Sequence, residues 1–177
     1  MREAKRGSLR GIHGALSQLI SVPEQYAVAI ETAFGAALQN IVTDSEGDAK
    51  RAIQFLKETK GGRATFLPLS AVRGRMLEER GLAQCDGFVA VASDLVKCDA
   101  TYEAVVKAQV GRTAVAEDMD CAIAIARKFS YRFRIVTLDG QIINAGGSMT
   151  GGSRMQNAGF LSRSNEIEKL RTEMQAA

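Results

Sequence analysis

The sequence predicts an α/β fold made of two similar subdomains, and three observations carry this prediction. Stretches with apolar residues at helical spacing alternate with short β-like runs, which is typical of sheets covered by helices. The order of these stretches in the first half of the chain recurs in the second half. Nine residues separate Tyr26 from Gly35 and also Tyr102 from Gly111, as expected of an internal duplication.

The elements of the first half have local signals in the sequence. Pro23 suits the first turn of a helix. Ser45 and Asp48 predict a capping box at the start of a second helix, which Gly61 ends. Pro68 favours a sheet edge or a strand end. The first half is therefore predicted to contain a helix over 23–38, a strand over 40–44, a helix over 45–62 and a strand over 63–69.

The second half repeats this order after a basic connector, residues 70–81, whose composition also favours a helix. A further strand-like run then leads into a glycine-rich segment, "NAGGSMTGGS", at residues 144–153. The elements predicted between them are a helix over 100–111, a strand over 113–118, a helix over 119–130 and a strand over 131–140.

The composition excludes several classes of protein. Of the 177 residues, 46% are hydrophobic and 24% are charged, and no apolar run is long enough for a transmembrane helix. The charged start lacks the apolar core of a secretory signal. Three cysteines without a CxxC spacing indicate reduced thiols in a cytosolic protein, rather than a disulfide or a zinc site. We expect a cytoplasmic protein without membrane contact.

The two ends of the chain differ from its middle. The net charge is +3, and the excess of basic residues lies towards both ends. Lys5 and Arg6 suit the last turn of a helix that arrives at the domain. Asn165 predicts the start of a helix that leaves it. The apolar residues of this second helix follow the spacing of a coiled-coil seam, although an ordinary amphipathic helix fits nearly as well: Ile167, Leu170, Met174 and Ala177.

The glycine-rich segment does not fit a phosphate-binding loop. The GxxxxG spacing is met from Gly146 to Gly151, and Ser153 offers a hydroxyl for magnesium. However, the position that requires a lysine holds Gly152, and no strongly helical stretch follows directly. We therefore predict no cofactor in this domain.

Candidate catalytic and metal-binding residues are sparse. The single histidine, His13, lies between two glycines, and a lone histidine is usually structural or solvated. Glu117, Asp118 and Asp120 lie at a predicted helix start, where carboxylates serve as caps. Cys121 falls in an apolar helical pattern that is typical of a core. The sequence predicts neither an enzyme nor a metal site.

A contact with another protein chain explains the glycines better. Glycine weakens a strand unless another backbone approaches closely. An exposed edge of that kind is completed by a strand from a second chain, by default in a two-fold dimer. A flexible loop is the alternative that spacing leaves open. The predicted interface residues are Gly146, Gly147, Ser148, Met149, Gly151 and Gly152.

Several stretches match one known family in order between about residues 9 and 170. The most specific are "GRATFLPL" at 62–69 and the paired glycines that follow "RIVTLDG" at 134–140. Through them the chain resembles the hinge domain of bacterial SMC (structural maintenance of chromosomes) proteins. The resemblance implies two α/β subdomains between coiled-coil arms. On this basis the chain divides into an incoming helix end (1–8), subdomain I with its connector (9–80), subdomain II (81–160) and the start of an outgoing helix (161–177).

The resemblance also implies functions. Family hinges form ring-like homodimers with the paired glycines at the interface, and ATP is hydrolysed in head domains at the far ends of the arms, outside this chain. The full proteins compact and segregate chromosomes, and their hinges bind DNA, often preferring single strands. The implicated basic residues lie where the arms meet the hinge and are here Lys5, Arg6, Arg10, Arg154 and Arg163.

Two functions stay open at this point. The first is a homodimerisation hinge of a nucleoid-associated protein, with weak DNA binding that does not depend on base sequence. The second is primarily a DNA-binding module, in which dimerisation only presents the basic surface. Clustered basic residues agree with salt-dependent phosphate contacts, whereas few aromatic residues are placed to stack on bases.

Overall fold

The computed structural model describes residues 9–153, together with residues 159–161, 163, 166, 167, 170, 171 and 174. The predicted incoming helix end, residues 1–8, lies outside them. Four α-helices lie within residues 9–153: α1 (Ala27–Phe34), α2 (Glu46–Glu58), α3 (Glu103–Val110) and α4 (Met119–Lys128). Ten strands lie in the same range: β1 (Ile12–Ala15), β2 (Ile20–Ser21), β3 (Ile41–Thr43), β4 (Phe66–Pro68), β5 (Phe88–Val91), β6 (Lys97–Cys98), β7 (Thr113–Ala116), β8 (Arg134–Thr137), β9 (Ile142–Ile143) and β10 (Met149–Thr150).

The strands form three sheets, two of which contain the predicted duplication. The first sheet has the order β1-β3-β4, and the second has the order β10-β9-β8-β7-β5. In each of them a helix connects a parallel pair of strands: α2 joins β3 to β4, and α4 joins β7 to β8. The third sheet pairs β2 with β6, so it joins strands from the two halves of the chain.

Helix boundaries follow local chemistry in the first half. The capping box is confirmed, because Ser45 caps α2 with Asp48 as its reciprocal partner. The helix predicted over 23–38 is divided instead. A 3-10 turn at Glu24–Tyr26 leads into α1, and Gly35 ends α1 with a φ of +54° before another 3-10 turn. Pro68 lies in β4, an edge strand of its sheet, as predicted.

The connector is not helical, contrary to the prediction. Its backbone has no regular secondary structure over 72–79 and lies against the end of α3, where the Leu77 N–H donates to the Gly111 carbonyl at 2.7 Å. A Cβ on Gly74 would lie 2.6 Å from the Cβ of Lys107, so the two segments are in close contact. Leu77 in the connector, and Leu82 directly after it, are buried in the core of the second sheet. Burial of the Leu77 side chain therefore overrides the helical propensity of the connector.

The core is shared between the two halves. One cluster combines residues of the first half, such as Ile30 and Val42, with residues of the second, such as Val105 and Val136. A second cluster lies between α4 and the five-stranded sheet. Leu161, from the start of the outgoing helix, is 1% exposed and belongs to the shared cluster. The outgoing helix is thus packed into the domain at its base.

A candidate dimer interface at the edge of the five-stranded sheet

The glycine-rich segment forms a hairpin at one edge of the five-stranded sheet. Strands β9 and β10 pair antiparallel, and among the strands of the described residues β10 has a neighbour on one side only. In the turn between them, Asn144 N–H donates to the Ser148 carbonyl at 2.8 Å, and Gly147 N–H donates to the Asn144 carbonyl at 2.9 Å. The segment is therefore an ordered edge of the sheet rather than a flexible loop.

The first glycine pair is required by the turn itself. Gly146 and Gly147 have φ angles of +86° and +97°, which side-chain-bearing residues rarely adopt. Gly146 N–H donates to the Tyr131 carbonyl at 2.9 Å, and the Tyr131 ring lies beside Gly147. The turn within the chain therefore explains these two glycines, whereas their pattern in the sequence predicted a close contact with a partner chain.

The second glycine pair contacts the side chain of Gln141. Gly152 N–H donates to Gln141 Oε1 at 2.8 Å, and Gln141 Nε2 donates to the Gly152 carbonyl at 3.3 Å. A Cβ on Gly151 would overlap Gln141 Oε1. Gln141 therefore extends the ladder beyond β10 with its amide group. This role of Gln141 was not predicted, because a glutamine after a turn has no distinctive sequence signal.

The outer side of β10 offers backbone hydrogen-bonding groups. Asn144 and Ser148 form a hydrogen-bonded pair. Hydrogen-bonded and non-hydrogen-bonded pairs alternate along an antiparallel ladder, so the next pair, Ile143 and Met149, is of the second kind. The N–H and C=O of Met149 consequently point away from β9. The Met149 side chain is 51% exposed, and residues 148–153 are exposed throughout.

The predicted interface residues are thus brought together in one turn and one strand edge. None of the residues 141–153 carries a charge. Sheet edges are commonly protected from pairing by charged side chains, proline or a covering element. This edge has neither charge nor proline, and its geometry suits the addition of another strand.

The predicted DNA-binding residues are only partly covered by the structure. Arg10 and Arg163 are both exposed. Lys5, Arg6 and Arg154 lie outside the described residues. The assignment of these five residues to DNA stays a prediction.

The histidine has a structural environment. His13 Nε2 lies 2.7 Å from Asp44 Oδ1, and His13 Nδ1 lies 2.8 Å from the Tyr102 hydroxyl. These contacts connect β1 and the end of β3 with the turn that precedes α3. His13 therefore links the two halves of the chain. Its partners in these two hydrogen bonds are a carboxylate and a phenol, and neither is a serine or cysteine nucleophile.

The Cys98 and Cys121 thiols are not activated. A hydrogen bond with Asp118, with burial and nearby carboxylates, raises the pKa of the Cys121 thiol. Burial raises the pKa of Cys98. Both shifts disfavour the nucleophilic thiolate at neutral pH. Across the described part of the chain, no group of three or more His, Cys, Asp or Glu side chains is placed to hold a metal ion.

Within the residues that the structure describes, no helix is both long and apolar enough to span a bilayer.

The fold and the free edge together define an α/β domain that is suited to strand-mediated association. The family model "SMC proteins Flexible Hinge Domain" matches residues 9–126. The chain belongs to this family of SMC hinge domains.

Curated relatives agree with this assignment. The chromosome partition protein Smc of Bacillus subtilis (strain 168) is 46% identical over 166 residues, which are 92% of this chain and 14% of that protein. The protein of the same name from Halothermothrix orenii is 43% identical over 96% of this chain and 14% of its own length. The chain thus spans about 14% of the length of these relatives.

Solved structures share the fold. The Geobacillus stearothermophilus SMC hinge domain, described as an asymmetric dimer, has a TM-score of 0.89 and 44% identity, covering 98% of this chain and 71% of that one. The Pyrococcus furiosus SMC hinge domain has a TM-score of 0.74 and 35% identity, covering 88% of this chain and 81% of that one. The α/β hinge fold predicted from the sequence is confirmed.

Proposed function

We propose that this chain is the homodimerisation hinge of a chromosome-partitioning SMC protein and joins two long coiled-coil arms. Membership of the hinge family supports this proposal, as does the description of the Geobacillus hinge as a dimer. The relatives are named for chromosome partition. The hinge acts in the cytoplasm, on the nucleoid, and contributes no catalytic step of its own, because ATP hydrolysis belongs to head domains elsewhere in the full protein.

The observation that carries the proposal is the free edge of β10. Met149 directs its N–H and C=O away from the sheet, and no charge or proline protects residues 141–153 from pairing. A strand from a second copy supplies partners for these groups. A two-fold axis then makes the same contact twice, so that a short edge contributes to a stable dimer.

Amide hydrogen exchange at β10 tests this contact directly. The Met149 amide points outward and is expected to be protected only when a partner strand accepts its hydrogen bond. The Thr150 amide points towards β9 and serves as the control, because it is protected in monomer and dimer alike. Protection of Met149 that increases with protein concentration supports the proposal. An unprotected Met149 amide at all concentrations, beside a protected Thr150, contradicts it.

A second function, weak binding of DNA at the arm junctions, is favoured by the exposure of Arg10 and Arg163. Phosphate contacts by such residues are salt-dependent and independent of base sequence. Reversing both charges (Arg10→Glu, Arg163→Glu) should weaken binding to a labelled single-stranded oligonucleotide in fluorescence anisotropy and reduce its salt dependence. The dimer mass should not change. Equal affinity of the variant and the parent chain would refute this assignment.

A further inference from the structure

The outgoing helix begins earlier than the capping signal at Asn165 predicts, close to the boundary at residue 161 that the family resemblance implies. Phe160, Leu161 and Arg163 are already helical, whereas the local signal placed the helix start at Asn165. The Gly159 carbonyl accepts from Arg163 N–H at 3.0 Å, which is the first hydrogen bond within the helix. Gly159 therefore occupies the N-cap position. It has no side chain with which to satisfy the free N–H groups of the first turn.

A carboxylate from α1 satisfies one of these groups. Glu31 Oε1 accepts from Leu161 N–H at 2.6 Å across 130 residues of sequence. Glu31 is 8% exposed, so the bond is shielded from water. A negative charge at a helix N-terminus is favourable, and bonds to an ionised acceptor are stronger than neutral ones.

Gly159 makes this contact possible. A Cβ at position 159 would overlap the Glu31 carboxylate. The Leu161 side chain is buried in the core beside α1 and fixes the same turn of the helix from its apolar side. The base of the outgoing helix is thus held by one polar contact and one apolar contact.

The C-terminal turn of α1, directly after Glu31, is bound to the five-stranded sheet. Arg134, in β8, donates through Nη1 to the Ala33 carbonyl at 2.9 Å and through Nη2 to the Thr32 carbonyl at 3.2 Å. A cation is favourable at the C-terminal end of a helix. Strand β8 pairs with β9, and β9 pairs with β10. A continuous series of hydrogen bonds therefore leads from the edge strand through Arg134 and α1 to the outgoing helix.

We propose that Glu31 anchors the outgoing helix and fixes its direction, and that Arg134 joins this anchor to the sheet that bears the β10 edge. The C-terminal turn of α1, which makes both contacts, thereby transmits a displacement of the sheet to the base of the outgoing helix. The inference rests on the proposed function in treating this helix as an arm and β10 as an interface. The contacts themselves are present within a single chain.

Amide exchange at Leu161 measures the anchor. Glu31→Ala should speed exchange of this amide by about tenfold, since a lost cap exposes the first turn. Gly159→Ala should also speed exchange of the Leu161 amide, because the added Cβ displaces the Glu31 carboxylate while Glu31 itself is unchanged. Glu31→Gln should have a smaller effect, because the amide oxygen still accepts the bond. Glu24→Ala, an exposed glutamate just before α1, is the matched control and should leave the rate unchanged.

The Val115 amide, in the buried strand β7, separates local from global effects. It should keep its protection in every variant. Unchanged exchange of Leu161 in Glu31→Ala would overturn the anchor, and so would a parallel acceleration at Val115. Arg134→Lys, which retains the charge but loses the two-pronged contact, should also speed exchange at Leu161. If it does not, the link to the sheet is refuted.

The dimer mass of the same samples separates this inference from the proposed function. A monomeric parent chain with a protected Leu161 amide would contradict the hinge dimer and leave the anchor intact. A dimer whose Leu161 amide exchanges freely would contradict the anchor and leave the dimer intact.

Discussion

Replacing Met149 with proline removes the one backbone donor of β10 that points away from its own sheet. The ladder within the chain does not use this N–H, because Ile143 and Met149 form a non-hydrogen-bonded pair. Proline is tolerated at such edge positions. The variant should therefore fold like the parent chain and lose affinity for its partner.

The size of this loss follows from symmetry. Each contact loses a hydrogen bond worth about 1 kcal/mol net, or up to about 3 kcal/mol if the acceptor of the partner strand stays buried and unpaired. A two-fold dimer contains the contact twice, so the total is about 2–6 kcal/mol. The dimer dissociation constant should rise by at least roughly thirtyfold.

Sedimentation equilibrium over a range of concentrations measures this constant. Met149→Ala is the matched variant, because it shortens the exposed side chain and keeps the N–H; it should weaken the dimer less than proline does. Circular dichroism checks that both variants are folded. A folded Met149→Pro chain with the affinity of the parent would refute the pairing of β10 with a partner strand.

Two further predictions concern the stability of the chain. Gly151→Val should lower the thermal unfolding midpoint, because its Cβ overlaps Gln141 Oε1 and overpacking of this kind costs about 1–3 kcal/mol of stability. Adding Gln141→Ala should remove much of this destabilisation. If the stability losses of the two substitutions simply add in the double variant, the contact between residues 141 and 151 is contradicted. The hydrogen bond from Ser45, aided by Arg51, lowers the pKa of Asp48. The stability that ionised Asp48 contributes is therefore fully present above the ordinary pKa of about 4, and it is lost as the pH falls through the lowered pKa. Asp48→Asn should therefore reduce the difference between urea midpoints at pH 7 and pH 3, and an equal difference in both chains would refute the role of Asp48.

Much of the fold could be predicted because its signals are local. Apolar spacing predicted four helical regions, and the reciprocal pair Ser45 and Asp48 predicted the start of α2. Strands β1, β2, β5 and β6 were not predicted, because they have two to four residues each and depend on partners far away in the sequence.

The candidate interface likewise has some features that the sequence predicts and others that depend on the folded chain. Its glycines are evident from the sequence alone, and three of them, Gly146, Gly147 and Gly152, have positive φ angles. The roles of Gln141 and Glu31 depend on the folded chain, because one contacts a backbone eleven residues away and the other a helix 130 residues away. The early start of the outgoing helix follows from that second contact, which no local signal contains.

Molar mass by light scattering on a sizing column, across a range of concentrations, decides whether this chain forms a homodimer. The chain has a mass of 19.0 kDa. We expect a species of twice that mass that persists on dilution and dissociates in Met149→Pro. A parent chain that is monomeric at every concentration would contradict the assignment of β10 as a dimer interface.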